Sequence, residues 1–303
     1  MPDHRLPNLI IAGVTKAGTT SLFNYLSQHP KICPSDVKET RYFYPLRFGG
    51  SLQPIETYAA HFRHCQDESY AVEATPAYFY GGRPIAAAIR NVLPDARVLL
   101  LLRSPSDRCW SYFRFEKSRA RIPADMDFDT YLDHCEKLRD TGADGLWENR
   151  AYMGLIGGCY ANWMEEWSAE LAERLRVVYF DDLSSDASAT VKGICCWLGV
   201  DDEVVDTFDL AVENKTVQVR SDRAQLMALV VNRRTEHFFR RHATAKRRLR
   251  SLYYLVNREP ADLTPSTAAA TRMAKFYEPY DATLAVQMES MGIARPPWVL
   301  AAS

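Results

Sequence analysis

The sequence has no apolar run long enough to cross a membrane, no internal repeat, no low-complexity tract and almost no net charge. The N-terminal apolar stretch, Leu9-Ile10-Ile11-Ala12, is too short for a signal-peptide core or a transmembrane helix. It reads as a first strand. A formal charge of −1 over 303 residues provides no global pull toward nucleic acid or a membrane surface. The seven cysteines, Cys33, Cys65, Cys109, Cys135, Cys159, Cys195 and Cys196, contain no C-x-x-C spacing. Their odd number and scattered placement argue against a disulfide framework and a zinc knuckle, and make a reducing cytoplasm the expected setting.

With 47% hydrophobic residues the chain can bury a substantial core. Strands are expected near 8–13, 70–74, 97–102 and 176–180, alternating with helices near 19–28, 55–64, 83–92, 105–121, 128–139, 152–171 and 187–198. That alternation predicts an α/β fold with a parallel sheet flanked by helices. Beyond about residue 200 the strands stop, and helical segments are expected over 221–256 and 265–291. The expected organisation is a single domain over 1–303, with a core at 1–200 and a mainly helical C-terminal part at 201–303.

The first strand runs into Gly13-Val14-Thr15-Lys16-Ala17-Gly18-Thr19-Thr20-Ser21 and then the helix-like Leu22-Phe23-Asn24-Tyr25-Leu26. A strand, a glycine-bounded loop and a helix start turn backbone N–H groups toward a phosphate. The loop keeps the two glycines of the P-loop of nucleoside triphosphatases. Thr19 and Thr20 replace its Lys-Ser/Thr pair, and the cation stands inside the loop as Lys16. The loop therefore suits a nucleotide but lacks the residues that triphosphate hydrolysis places on the terminal phosphates and magnesium.

A second anion-binding pattern follows the strand at 97–102. Arg103 ends it, Ser104 and Pro105 have the character of a helix N-cap and first helical position, and Ser111 lies seven residues beyond Ser104. At 1.5 Å per residue that is about 10 Å, so Arg103 and Ser111 could meet over one anion.

Together the two loops resemble the sulfotransferases that use 3′-phosphoadenosine 5′-phosphosulfate (PAPS), most closely the heparan-sulfate type and its bacterial relatives. Residues Thr15 to Leu22 are similar to the family's 5′-phosphosulfate loop, and Arg103 through Ser111 to its 3′-phosphate signature, R-x-P-x-x-R-x-x-S. Further similar pieces are His29-Pro30, Lys38-Glu39-Thr40-Arg41-Tyr42-Phe43, Glu73 to Phe79, Gly158-Cys159-Tyr160 with Trp163, and Arg272 to Tyr280. The resemblance implies a metal-free, in-line transfer of a sulfuryl group. Lys16 would stabilise the departing 5′-phosphate, and Thr15, Ala17, Gly18, Thr19, Thr20 and Ser21 would cradle it. Arg103 and Ser111 would hold the 3′-phosphate, with Lys215 and Arg220 standing where the family carries a late Lys-Gly-Arg loop that this chain lacks. Glu39 corresponds to the catalytic base; His61 and His64 are the alternatives. His61, Tyr42, Phe43 and Tyr78 are candidate substrate contacts. Ala74 stands where several glycosaminoglycan-sulfating relatives carry Lys, which argues against heparan sulfate itself as acceptor.

Nine Lys/Arg against Glu236 alone give residues 231–258 a charge of +8, leaving −9 on the rest. A solvated helix face accounts for such a segment, as does attraction of an anionic or lipid-linked acceptor or a peripheral membrane surface. The expected partners are a small-molecule, glycan or lipid-linked acceptor, and no nucleic acid. Two other functions fit parts of the chain. A P-loop kinase or NTPase would use Val177-Val178-Tyr179-Phe180-Asp181-Asp182 as its metal-binding strand, and a non-catalytic nucleotide-binding module would use the basic segment for docking.

Overall fold

The computed structural model describes residues 5–211 and 264–299. The basic segment 231–258, the helix expected over 221–256, Lys215 and Arg220 lie outside the described residues. Two compact units are present, one made of residues 5–108, 157–211 and 276–299, the other of 109–156 and 264–275.

The first unit holds a parallel five-stranded sheet ordered β2-β3-β1-β4-β5. Its strands are β1 (Leu9–Gly13), β2 (Ile32–Pro34), β3 (Tyr70–Ala74), β4 (Arg97–Leu102) and β5 (Leu175–Tyr179). Every residue of β1 is buried, as are five of the six in β4. Continuous rather than alternating apolar residues suit strands with both faces covered. In chain order the helices are α1 (Thr19–Leu26), α2 (Ile55–Ala59), α3 (Gly82–Val92), α4 (Pro105–Ser118), α5 (Phe128–Asp140), α6 (Ala161–Leu171), α7 (Phe180–Ser185), α8 (Ala187–Leu198) and α9 (Thr267–Ser290).

The sheet order positions the site. After β1 the chain moves to β2 and returns to β3 beside β1; it then crosses to β4 on the other side. Register pairs Ile11 with Ala74 of β3 and with Leu99 of β4. The C-terminal ends of β3, β1 and β4 therefore lie side by side, where open α/β sheets bind ligands.

Helix ends follow local chemistry. Asp186 caps α8 by accepting from the Ala189 N–H at 2.9 Å, and Gly199 closes it at φ 72°. On α3, Ile85, Ala86 and Ile89 form the buried face. Glu170 of α6, itself buried, pairs with Arg83 at 3.0 Å and Arg90 at 2.6 Å. In the second unit the rings of Phe113, Phe128 and Tyr131 cluster with centroids 5.0 to 6.1 Å apart. The Tyr131 hydroxyl donates to Ala151 O and accepts from the Gly154 N–H, both at 3.0 Å. Arg272 joins Glu136 at 2.7 Å and Asp133 at 2.8 Å.

Three sequence expectations are corrected. The helix expected over 152–171 reduces to α6, preceded by 3-10 turns at Trp147–Tyr152 and Ile156–Gly158. The cause is close packing: a Cβ on Gly157 would lie 2.9 Å from Arg108 Nη2, and one on Gly158 2.7 Å from Tyr277 Cε1. The helix expected over 55–64 ends at Ala59 and gives way to a 3-10 turn, Ala60–Phe62, so His61 and His64 share no α-helical face. Cys33 and Cys65 form a disulfide across 32 residues, with five free cysteines among those described. Sequence-local spacing does not detect a pair that β2 and the segment after Phe62 bring together. The reducing setting was inferred from unpaired cysteines, and this bond removes that support.

Burial raises the Asp281 carboxyl to about 6, although the Trp298 Nε1–H, 3.1 Å away, favours its charged form. A carboxyl with a raised folded-state pKa adds stability below its unfolded value of about 4 and loses it as pH rises through 6. The melting temperature of Asp281→Asn is therefore expected to gain on wild type between pH 4 and 7. Parallel melting curves over that range count against this assignment.

Candidate functional site

The loop after β1 is tied to the neighbouring strand, since the Val14 N–H donates to Leu101 O at 2.8 Å. Lys16 takes φ 74° and Gly18 φ 85°, two left-handed residues that fold the chain back into α1. Gly18 has a conformational and a steric reason to be glycine, because a Cβ there would lie 3.0 Å from Phe180 Cδ2. The first helical bond of α1 runs from the Leu22 N–H to Gly18 O, so the N–H groups of Thr19, Thr20 and Ser21 have no partner within the helix. Open N–H groups at a helix start, together with the helix dipole, are suited to an anion. Thr19 is buried, while Thr15, Thr20 and Ser21 are half-buried. The Ala17 N–H donates to Val14 O at 3.2 Å.

Arg103 leaves the end of β4 and reaches this loop. Its Nη1 donates to Lys16 O at 3.3 Å, its guanidinium sits 4.5 Å from the centre of the Phe180 ring, and the Tyr160 hydroxyl donates to Arg103 O at 2.8 Å. The Arg103 Nε is buried with no hydrogen-bond partner among the described residues. Burial lowers the pKa of this guanidinium, opposed by the charges of Asp107 and Asp181. A buried cationic donor left open beside a left-handed loop is chemistry suited to an anion. Ser111 is half-buried on α4 in the second unit.

The third component comes from β3. The Glu39 N–H donates to Ala74 O at 3.0 Å and the Arg41 N–H to Thr75 Oγ1 at 3.3 Å. The Thr75 N–H in turn donates to Ile11 O of β1 at 3.1 Å. Glu39 and Arg41 have φ 66° and 60°. The Glu39 carboxylate is 38% exposed and faces Arg41 Nη2 at 2.8 Å and Lys38 Nζ at 3.6 Å. Burial lowers the Lys38 pKa, partly opposed by Glu39.

The sheet thus brings Lys16, Arg103 and the Glu39 loop to adjacent strand ends, but places the other candidates differently. His61 Nδ1 is engaged by Asp36 Oδ1 at 2.7 Å, and His64 Nε2 by Pro34 O at 2.9 Å. Phe43 and Tyr78 are fully buried and Tyr42 nearly so. Tyr42 stacks on Tyr58 at 4.3 Å, and the Phe43 N–H donates to the Tyr78 hydroxyl at 3.2 Å. These rings support the Glu39 loop from within, which corrects the expectation that they contact substrate. Phe180, Thr40 and Glu73 are the contributors that sequence reasoning passed over as site residues. The signal for Glu73 was a lone charge in an otherwise apolar strand.

Among the described residues, Cys33, His64 and Cys65 are close enough to share a metal ion, their ligand atoms lying within 4.8 Å of one another. The disulfide consumes both thiolates, so this group does not fit a metal as it stands.

A parallel sheet with a glycine-bounded loop after its central strand and a half-buried cation after the next strand defines an α/β protein with helices flanking the sheet. The sulfotransferase domain family matches residues 6–250, and the chain belongs to that family. It is 39% identical over 114 residues to the membrane-associated sulfotransferase kil1 of Dictyostelium discoideum, covering 36% of this chain and 23% of that protein. It is 28% identical over 173 residues to a bifunctional heparan sulfate N-deacetylase/N-sulfotransferase 3 of Mus musculus, covering 54% of this chain and 19% of that one. The matches thus span about a fifth of the length of these relatives. The fold is similar to a sulfotransferase from Alicyclobacillus acidocaldarius, with a TM-score of 0.65, 21% identity, and 96% and 97% of the two chains covered.

Gly18→Ala is expected to lower the melting temperature by a few degrees, since it forces a side chain into both a left-handed backbone and the Phe180 ring. Thr20→Ala, two residues on and half-buried, is the control and is expected to leave it within about a degree. Equal melting temperatures for the two variants would show that the loop does not need glycine there.

Proposed function

We propose that the protein transfers a sulfuryl group from PAPS to an acceptor hydroxyl, with an amine as the less favoured nucleophile. The acceptor class is a small molecule, a glycan or a lipid-linked compound. The observation that carries this reading is the Arg103 guanidinium on the Lys16 carbonyl, which makes one cradle of the two anion loops.

The residues divide the work by charge. The first turn of α1 and Lys16 bind the 5′-phosphosulfate, and Arg103 holds the 3′-phosphate. Sulfuryl transfer asks the protein mainly to position the groups in line and to stabilise charge. As the acceptor oxygen bonds to sulfur, the bond from sulfur to the bridging oxygen breaks. The electron pair leaves on the 5′-phosphate of adenosine 3′,5′-bisphosphate (PAP), where Lys16 balances it. The acceptor proton passes to the Glu39 carboxylate. Lys215 and Arg220, outside the described residues, are further candidates for the 3′-phosphate.

Two observations bear on the competing enzyme class. Thr19 and Thr20 stand where an NTPase needs Lys and a magnesium-binding hydroxyl. Asp181, the acid that such an enzyme would place on its metal, instead acts electrostatically on Arg103.

Calorimetry without magnesium is expected to show PAP binding more tightly than AMP by about tenfold or more, the worth of one charge-assisted hydrogen bond. Arg103→Ala should erase that preference. Equal affinities in the wild type overturn the reading. Lys16→Ala is expected to lower kcat by about 10²- to 10³-fold, while PAP affinity changes less than about tenfold. A loss confined to binding would remove Lys16 from the chemical step. PAP binding with no sulfate released from labelled PAPS to any acceptor would favour the interaction-module reading.

A further inference from the structure

Glu73 is the sixty-fourth residue after the first of β1, yet it lies beside Ile10 in the sheet and exposes none of its surface. A carboxyl in that position is costly unless its oxygens are hydrogen-bonded. Its Oε2 accepts from the Thr40 hydroxyl in a short contact and from the Thr75 hydroxyl at 3.3 Å. Its Oε1 has no partner within hydrogen-bond geometry among the described residues, and the same is true of the nearby Tyr58 hydroxyl. Burial raises the Glu73 pKa, while the surrounding hydroxyls, Thr40 first, favour the charged form.

Thr40 is the residue between Glu39 and Arg41, the two non-glycine residues of this loop that adopt left-handed backbone. Such φ values are uncommon for side chains of this size and persist where the surroundings hold them. The surroundings here are one cluster. Glu73 takes the Thr40 hydroxyl, Ala74 O takes the Glu39 N–H, and Thr75 Oγ1 takes the Arg41 N–H while donating to Glu73. Three consecutive residues of β3 and its exit thus hold three consecutive residues of the loop, and only the Glu73 bond reaches the middle one through its side chain.

We propose that Glu73, through Thr40, is the positioning residue for Glu39: the buried carboxylate latches the loop so that the Glu39 carboxylate points out of the sheet edge. This rests on the reading of Glu39 as the base. It adds that the base is aimed from beneath by a carboxylate that touches neither donor nor acceptor. The Thr40 side chain needs a hydroxyl for this, and the residues flanking it need the left-handed turn.

The test uses the full chain with Thr40→Val, which keeps the shape of the side chain and removes the donor, and Thr40→Ser, which restores the donor. PAP release from PAPS is followed with water as the acceptor, so that the readout does not depend on the acceptor's identity. Amide hydrogen exchange is measured at Glu39 and Arg41, with β1 as the internal reference. The expected result for Thr40→Val is a fall in kcat of about tenfold or more, unchanged PAP affinity, and faster exchange at the Glu39 and Arg41 amides but not in β1. Thr40→Ser is expected to recover both turnover and protection. If Thr40→Val keeps wild-type exchange at those amides, the latch is overturned whatever the turnover. If it loosens the amides but leaves kcat unchanged, the latch does not position a base and the proposal fails. Glu39→Gln separates the two readings: wild-type turnover in that variant removes the base assignment, whereas a fall there with no fall in Thr40→Val removes only the role of Glu73.

Discussion

The site depends on a guanidinium held against a backbone carbonyl. Arg103 occupies the first position after β4, and its side chain turns toward the loop after β1 rather than toward water because two contacts retain it. One is the Lys16 carbonyl at 3.3 Å, and the other is the Phe180 ring at 4.5 Å. Phe180 is also the residue that a side chain on Gly18 would meet. A single ring therefore sets the position of the cation and demands glycine at the helix entrance. The geometry of the loop and the orientation of the cation are one constraint, and neither is free to change alone. The carbonyl occupies only Nη1, which leaves the buried Nε available to an anion.

The sheet order supplies the rest. A strand order of β2-β3-β1-β4-β5 puts β1 between the strand that precedes Arg103 and the strand that receives the Glu39 loop. The Thr75 N–H bond to Ile11 O and the Val14 N–H bond to Leu101 O lock both neighbours to the central strand just where the loops depart. A parallel sheet has all its C-terminal ends on one edge, so three loops distant in sequence are neighbours. The charges brought together are balanced locally. Glu39 lies between Arg41 and Lys38, and Arg103 is offset by Asp107 and Asp181.

How legible this was in the sequence differs between elements for physical reasons. The apolar runs of β1, β3, β4 and β5 were readable because buried parallel strands are apolar on both faces. Strand β2 was not, since three residues carry no periodicity. The helix expected over 152–171 failed at Gly157 and Gly158, where the backbone must approach Arg108 and Tyr277, a tertiary demand that local propensity does not express. In the candidate site, Lys16, Gly18 and Arg103 can be singled out from the sequence because each stands where an apolar strand gives way to a helix, with glycine or a cation at the turn. Phe180 was not, because it reads as the last apolar residue of a strand. Tyr42, Phe43 and Tyr78 look alike on a binding surface and in a core, and only their burial decides between the two. The Cys33–Cys65 bond was hidden for a related reason, since it is set by the placement of β2 against a segment 32 residues away.

The alternation of buried and half-exposed charge explains how a fold this apolar presents a charged edge. Glu73 and Arg108 are both fully buried, and each packs against a loop. Arg108 fills the space left by Gly157, with its Nη1 donating to the Tyr80 hydroxyl at 3.3 Å. Glu73 meets the middle of a left-handed segment. Replacing either by an apolar residue of similar volume would keep the packing and remove these bonds. Lys16 and Glu39 are both half-buried, and Glu39 stands beside the residue that Glu73 holds. A site proposed to stabilise charge at one oxygen and accept a proton from another gains from loops held in fixed positions. Glu73 reaches the Glu39 loop through Thr40, which ties the cost of burying that carboxyl to the placement of a group proposed to act.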